Sequence, residues 1–365
     1  MKLKLILFFA LLILKLDAQT SDIWTAFYEE KEDSYLFGYK NSKGEVMIEP
    51  KFMGFSAAKK FDKIAALMEE KEGKYDSYYL LKDGTKFGAD SLYVFDMGYD
   101  CESEGFIKFR DPKTEKVGMF NEFGKVVISA QYNDMTGFVN GLSIGLKNAK
   151  KEYWDKEGSE SGCEHWSWVE GEEVLINTKN EILVNNFPLN NALDFYSLQV
   201  SEKPILDSTR VNFLGTNNKY YSFVDNEKLL KVFLKEQLLN NLTIDNFIEH
   251  SYPKILFWTE EGGYSKPKKD FIEQNFSILS QRLSEIKKED TRYSINTTDN
   301  LSIPDEIEQE FDKYYLYCGG WNTAKYPIIT LEIIENGIVK DQFYFIKIDD
   351  KIQLISCVLR GSHLK

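Results

Sequence analysis

A short sequence unit recurs in the first half of the chain and limits what that half can fold into. Residues 37–52 read FGYKNSKGEVMIEPKF, and residues 117–132 repeat the pattern as VGMFNEFGKVVISAQY. A degenerate copy lies between them at residues 79–84. The glycines Gly44, Gly84 and Gly124 are 40 residues apart each time. A fixed period of this size predicts a repeat architecture rather than an active site.

Each unit is predicted to be a β-hairpin. Asn41 to Gly44 forms a turn whose last residue tolerates positive φ. Apolar residues lie on both sides of the turn, and Pro50 ends the second strand because it has no N–H to donate. One hairpin cannot bury its own apolar face, whereas stacked neighbours can. The first half is therefore expected to be mainly β, and its repeat-turn glycines are Gly38, Gly44, Gly84, Gly118 and Gly124.

The unit resembles the WG repeat, a short β-hairpin repeat named for a Trp-Gly pair and common in bacterial proteins. The shared pattern is Gly-aromatic-x-Asn-x-x-Gly-x-Val-x-Ile-x-Pro-x-aromatic, which residues 38–52 follow closely. Residues 118–132 follow it less fully, with Ala130 in place of the proline. The tryptophan of the pair is Phe37 in one copy and Val117 in the other. The resemblance covers about residues 35–190 and implies no shared catalytic residues.

The first 18 residues are typical of a cleaved secretory signal. Lys2 and Lys4 precede an apolar run at residues 5–14 that is too short to span a bilayer comfortably, and Ala18 offers a small residue for cleavage. An uncleaved anchor is the alternative. We expect cleavage near Ala18, export to a periplasm or the medium, and no membrane span in the mature protein.

Charge and motifs restrict the possible functions. The chain has 45 basic and 58 acidic side chains, a formal net charge of −13, which argues against nucleic acid and anionic lipid as partners. The sequence contains no phosphate-binding loop, metalloprotease motif or nucleophile elbow. We therefore predict no catalytic residues, no cofactor and no metal site.

Four cysteines indicate a disulfide framework in an exported chain. Three pairings are possible, and each half of the chain holds two of the four. We expect Cys101–Cys163 and Cys318–Cys357, with buried free thiols as the alternative.

A change of periodicity divides the chain after the signal segment. Residues 19–190 are predicted to form the repeat domain, in which Asn180 takes the glycine position of a last, degenerate hairpin. An insertion at 147–173 is expected to contain long loops or a short hairpin. Residues 191–222 are polar and are expected to be an irregular junction; the alternative is that the strand-like runs at 195–200 and 220–224 pair with one half or the other.

Residues 223–365 are predicted to form an α+β domain. Its helices include one capped by Asp225 and one capped by Ser302, and its last strands form an antiparallel meander from Ile328 to Leu359. In topology this domain resembles the cone-shaped nuclear-transport-factor-2-like fold, which implies a pocket inside its curled strands.

Two functions remain. The first, which we expect, is a non-enzymatic interaction module that binds a protein or another envelope component. Its contact patch would be Trp154, Trp166 and Trp168, although packing of the insertion onto the repeats is an alternative role for these rings. A structural envelope component is not separable from it by sequence. The second is ligand binding or catalysis in a C-terminal pocket lined by Trp258, Tyr317, Trp321 and Phe343.

Overall fold

The computed structural model describes residues 22–31, 34–54, 56, 58–95, 98–154, 165–259, 262–298, 301–361 and 364. The predicted signal segment lies outside the described residues. Hairpins dominate the N-terminal part, and helices pack on a sheet in the C-terminal part. This confirms the predicted fold class, a β-repeat region followed by an α+β region. In the described part of the chain, no helix is long and apolar enough to cross a membrane.

The first copies of the repeat form a single sheet. Its strands are β1 (Trp24–Lys31), β2 (Ser34–Lys40), β3 (Val46–Met53), β4 (Lys60–Phe61), β5 (Ile64–Lys71), β6 (Lys74–Leu81) and β7 (Lys86–Phe87). They lie in the order β4-β1-β2-β3-β5-β6-β7. Alternate residues of these strands, among them Tyr39, Phe52 and Leu67, pack into one buried cluster. The strand alternation thus supplies the apolar face that a single hairpin cannot cover.

Smaller sheets continue the repeat region. A short 3-10 helix, Ala89–Ser91, leads into them. Their strands are β8 (Val94–Phe95), β9 (Gly98–Tyr99), β10 (Phe106–Arg110), β11 (Val117–Asn121), β12 (Val126–Tyr132), β13 (Asp134–Met135), β14 (Leu142–Lys147), β15 (Lys150–Tyr153), β16 (Trp166–Val169), β17 (Glu172–Asn177) and β18 (Ile182–Asn185). The sheets are β8-β9, β10-β11-β12, β13-β14-β17-β18 and β15-β16. The insertion therefore contains a two-stranded ribbon, β15-β16.

The repeat turns share one hydrogen-bond pattern. Asn41 donates its N–H to the carbonyl of Glu45 and accepts the N–H of Gly44. The same pair of bonds recurs in the turns at 81–85, 121–125 and 177–181. The residue that needs a left-handed conformation has φ of 83° at Gly44, 89° at Gly84, 70° at Gly124 and 62° at Asn180.

Gly38 and Gly118 are not turn residues, and their grouping with the turn glycines was wrong. Both lie inside strands, at points where the pairing register shifts. A Cβ on Gly38 would lie 2.4 Å from the carbonyl oxygen of Ile48, and one on Gly118 would lie 2.4 Å from that of Ile128. Glycine is required here because the neighbouring strand passes too close for any side chain.

The segment predicted to be an irregular junction is a folded sheet. It contains β19 (Leu193–Ser201), β20 (Arg210–Leu214) and β21 (Tyr220–Asp225) in the order β19-β21-β20. The repeat turn recurs at 215–219, where Asn218 has φ of 61°. Phe187, Leu193 and Phe223 pack against Leu142 and Leu175 of the repeats. The expectation of irregular structure was wrong because the segment supplies buried apolar side chains, Leu193, Tyr221 and Phe223, and its polar residues Asp194 and Ser222 are buried in the same sheet.

The C-terminal part is one mixed sheet with helices against it. Its helices and strands are α1 (Asn226–Phe233), α2 (Ile244–Glu249), β22 (Ser251–Thr259), β23 (Gly262–Pro267), α3 (Lys268–Ser284), β24 (Arg292–Thr298), β25 (Ile328–Glu335), β26 (Ile338–Ile348) and β27 (Lys351–Leu359). A π-helix, Leu234–Leu238, follows α1, and the 3-10 helices are Leu239–Asn241, Glu285–Lys287 and Asp305–Tyr314. The sheet order is β23-β22-β27-β26-β25-β24, with β22 and β27 parallel.

Local signals were sufficient for α1, α2, α3 and the final strands. Asp225 caps α1 by accepting the N–H groups of Glu227 and Lys228, as the sequence predicts. The predicted helix capped by Ser302 is instead the 3-10 helix Asp305–Tyr314, which begins after Pro304. The strands β22, β23 and β24 were not predicted.

Both faces of this sheet are covered. Leu230, Phe271 and Phe343 belong to the core between the helices and the sheet. Phe311 and Trp321 belong to a second cluster that includes Leu256 and Ile346 of the sheet. Nothing in this topology contradicts the resemblance to the nuclear-transport-factor-2-like fold.

A disulfide joins the two parts of the chain. Cys101 bonds to Cys318 across a separation of 217 residues, and Cys357 is a buried free thiol. Cys163 lies outside the described residues. The predicted pairing within each half was wrong, because the loop around Cys318 folds back onto the repeats. There Lys60 donates its N–H to the carbonyl of Tyr317 at 2.9 Å.

Candidate functional site: the tryptophan ribbon

The insertion places all three predicted tryptophans on one ribbon. Residues 150–154 and 165–169 form the tryptophan ribbon, in which Lys151 pairs with Trp168 and Tyr153 with Trp166. Trp154 extends the pairing by donating its N–H to the carbonyl of His165 at 2.9 Å. Side chains of paired residues lie on the same face of such a ribbon. The register therefore decides which rings meet.

One face holds two tryptophans and a lysine. The rings of Trp166 and Trp168 pack edge to face with centroids 4.9 Å apart. The Nζ of Lys151 lies 4.5 Å from the Trp166 centroid and 5.8 Å from the Trp168 centroid, which is a cation–π arrangement. The same Nζ lies 2.9 Å from a carboxylate oxygen of Glu115 in the repeats. Its hydrogen bond and charge lower the pKa of Glu115 below the ordinary range.

The other face carries the third tryptophan. The ring of Trp154 stacks on His165 with centroids 5.5 Å apart and an angle of 21° between the rings. Trp154 is nevertheless 67% exposed. The stacked histidine holds the indole in one orientation while leaving much of its surface open to solvent.

The predicted patch is thus two patches rather than one. Trp166 and Trp168 share a face because they are two residues apart, and Trp154 faces the opposite way because it pairs with His165. Sequence reasoning missed Lys151, Glu115 and the role of His165. The spacing of Trp166 and Trp168, two residues apart, was the one signal in the sequence that these two rings share a face. The residues that pair with them across the ribbon could not be predicted, because the sequence does not specify the register.

The alternative role for these rings was packing of the insertion onto the repeats. None of the described ribbon residues belongs to the hydrophobic clusters that fill the repeat sheets. One tie between the described ribbon residues and the repeats is the ion pair of Lys151 with Glu115. The rings of Trp166 and Trp168 pack on each other and on Lys151, and the ring of Trp154 packs on His165.

A second candidate site, a groove, lies beside the disulfide. This groove has a volume of about 510 Å³ and is lined by residues of the repeats and of the loop at 313–326. Glu102 accepts the N–H groups of residues 63–64 at 2.8 and 3.0 Å, and burial raises its pKa. Glu104 accepts the N–H groups of residues 140–141 at 2.6 and 2.8 Å. Both carboxylates therefore hold neighbouring loops together.

The four residues proposed for a C-terminal pocket do not meet. Phe343 is buried between the helices and the sheet, whereas Trp321 stacks on Tyr314 in the second cluster. Tyr317 lies beside the disulfide, and the Trp258 ring covers Gly263. The pocket predicted from these residues was wrong, because they belong to separate surfaces of the sheet and its loops.

The fold defines a repeat protein built from stacked β-hairpins. Residues 37–53 and 118–150 match the model of the family described as "WG containing repeat". The chain therefore contains WG repeats, and the matched segments include the turns at Gly44 and Gly124. No curated protein matches the chain.

Proposed function

We propose that this protein is exported and acts as a non-enzymatic interaction module whose contact surface is the tryptophan ribbon. The observation that carries the proposal is the position of Trp154, 67% exposed on a ribbon that lies outside the hydrophobic clusters. Exposed tryptophan and tyrosine side chains are the residues that most often anchor protein interfaces. Tyr153, 57% exposed and paired with Trp166, offers such a ring on the other face of the ribbon.

Preorganisation supports the same surface. His165 orients Trp154, and Lys151 fixes Trp166 and Trp168. A ring that is already held in place loses little conformational freedom when a partner binds, which favours affinity. A protein or another envelope component with apolar side chains at its own surface fits these rings.

Export is supported by two features of the chain. Its first residues are typical of a secretory signal, and Cys101 bonds to Cys318. Disulfides persist in oxidising compartments and are rare in the cytosol.

The test is affinity capture from an envelope extract with four forms of the protein. These are the wild type, Trp154→Ala, the double variant Trp166→Ala/Trp168→Ala, and Phe123→Ala as the matched control. Phe123 is 68% exposed in a repeat turn away from the ribbon. We expect a partner whose recovery falls at least about tenfold with a ribbon variant and is unchanged with the control. Equal recovery of every protein by all four forms would remove the proposal.

A further inference from the structure

A groove with an apolar floor and a basic rim lies on the C-terminal part, away from the tryptophan ribbon. It has a volume of about 410 Å³ and runs between the turn after α1, the segment after α3 and the edge strand β24. This volume lies within the roughly 300–1,000 Å³ of small-molecule sites.

The floor is the outer margin of the hydrophobic core. Leu234 and Leu239 are buried, at 2% and 7% exposed. Ile286 and Ile295 are partly buried and pack against the same cluster. The core behind them is filled by side chains, so an apolar group in the groove would extend the core outward.

A helix irregularity shapes one wall of the groove. The chain leaves α-helical geometry after Phe233, and Leu239 donates its N–H to the carbonyl of Leu234, the bond of a π-helix. Such a turn is wider than an α-helical one and is frequent at functional sites. Lys287 then donates from Nζ to the carbonyl of Leu239 at 2.7 Å, which ties the two sides of the rim.

All the described charged residues that line the groove are basic. Within the described part of the chain, its lining includes Lys231, Lys235 and Lys287 and contains no carboxylate. Among the described residues, no carboxylate forms an ion pair with any of these three lysines. The chain as a whole has 58 acidic and 45 basic side chains, so a groove whose charged lining residues are all basic is contrary to its average. An apolar floor below three ammonium groups is complementary to an amphiphile with an anionic head.

We propose that this groove binds a single-chain amphiphile with an anionic head group, of the fatty-acid type. The tail lies on Leu234, Leu239 and Ile295, and the head group lies among the ammonium groups of the rim. The site is separate from the tryptophan ribbon and does not depend on the function proposed for it.

Calorimetric titration of the purified protein with two amphiphiles, each built on a twelve-carbon chain, tests the proposal. Dodecanoate and dodecyltrimethylammonium, both below the concentrations at which they form micelles, differ in the charge of the head. We expect dodecanoate to bind at least about tenfold more tightly. Equal affinity for the two would overturn the proposal.

Two triple variants separate the groove from the overall charge. Lys231→Gln/Lys235→Gln/Lys287→Gln should remove the preference for dodecanoate. The matched control, Lys43→Gln/Lys179→Gln/Lys203→Gln, changes the net charge equally at exposed lysines outside the groove and should retain the preference. Loss of the preference in both would show that the whole charge of the protein, and not the rim, sets it.

A filling variant locates the tail. Asn240 is exposed at the rim, so Asn240→Trp adds a ring over the groove without disturbing the core. We expect dodecanoate affinity to fall at least about tenfold while the melting temperature is unchanged. Undiminished binding would place the amphiphile elsewhere.

Sedimentation with phosphatidylglycerol vesicles completes the test. Capture of vesicles without binding of monomeric dodecanoate would assign the lysines to a membrane surface instead.

Discussion

Glu69 is a buried carboxylate held by three lysines of the first sheet. It is 1% exposed, with Lys71 and Lys86 each 2.8 Å from one oxygen and Lys51 3.2 Å from the other. Burial disfavours the charged form, but the hydrogen bonds from Lys71 and Lys86 and the nearby Lys51 outweigh it. The pKa of Glu69 is therefore well below its ordinary value of 4.5.

We predict that Glu69→Gln lowers the free energy of unfolding by roughly 1.5–3 kcal/mol at pH 7, the range for hydrogen bonds to charged groups. Because the pKa is depressed in the folded state, this contribution is complete above the ordinary pKa of 4.5 and is lost as the pH falls below it. Chemical denaturation at pH 7 and pH 3 should therefore show a smaller difference between wild type and variant at pH 3. Glu70→Gln, at an exposed neighbour, is the control. A difference independent of pH would contradict this assignment.

The two kinds of repeat glycine should respond differently to alanine. Gly44 has φ of 83°, and a Cβ at this position would have no described atom within 4 Å, so Gly44→Ala carries only the backbone cost of roughly 1–2 kcal/mol. Gly38→Ala would place a Cβ 2.4 Å from the carbonyl oxygen of Ile48. Because this distance is too short, the neighbouring strand would have to shift. We predict the greater loss of stability for Gly38→Ala, measured by thermal melting. The reverse order would show that the close approach of the strands is relaxed at little cost.

The roles of some residues could be predicted from the sequence, and the roles of others could not. The turn from Asn41 to Gly44 was predictable because its hydrogen bonds are local. The need for Gly38, the stacking of Lys151 on Trp166 and the bond of Cys101 to Cys318 depend on strands and loops distant in sequence. Periodicity alone does not specify those neighbours.

Among the elements, helices were predicted better than the strands between them. The cap at Asp225 and the spacing of apolar residues in α1 are properties of the segment itself. Ile255, Leu256 and Phe257 in β22 are all buried, so the strand has no alternation of apolar and polar residues. A short continuous apolar run is ambiguous between strand and helix.

The sheet β19-β21-β20 should resist proteolysis except at one loop. Leu206 is 98% exposed between β19 and β20, whereas Leu193 and Phe223 in the strands are buried. We predict that chymotrypsin cuts after Leu206 and does not cut within 193–201 or 220–225. The variant Leu206→Asn should lose this cut. Cleavage inside the strands would show that the segment is the irregular junction expected from its composition.

For the whole molecule, the Cys101–Cys318 disulfide joins segments 217 residues apart. Closing so long a loop restricts the unfolded chain, and removal of a native disulfide costs typically about 2–5 kcal/mol. We predict that reduction lowers the melting temperature and that Cys101→Ser/Cys318→Ser reproduces the lower value. The double variant should then be insensitive to reductant. A wild type unaffected by reductant would show that the bond does not contribute to stability.

The proposed export of the protein and the disulfide between its repeat and α+β parts can be tested together. Mass spectrometry of the protein isolated from its own cells, with free thiols alkylated at lysis, tests both most directly. We predict a mature N-terminus near Gln19 and a peptide pair linked through Cys101 and Cys318. An intact Met1 together with alkylated Cys101 and Cys318 would contradict both the export and the joined fold.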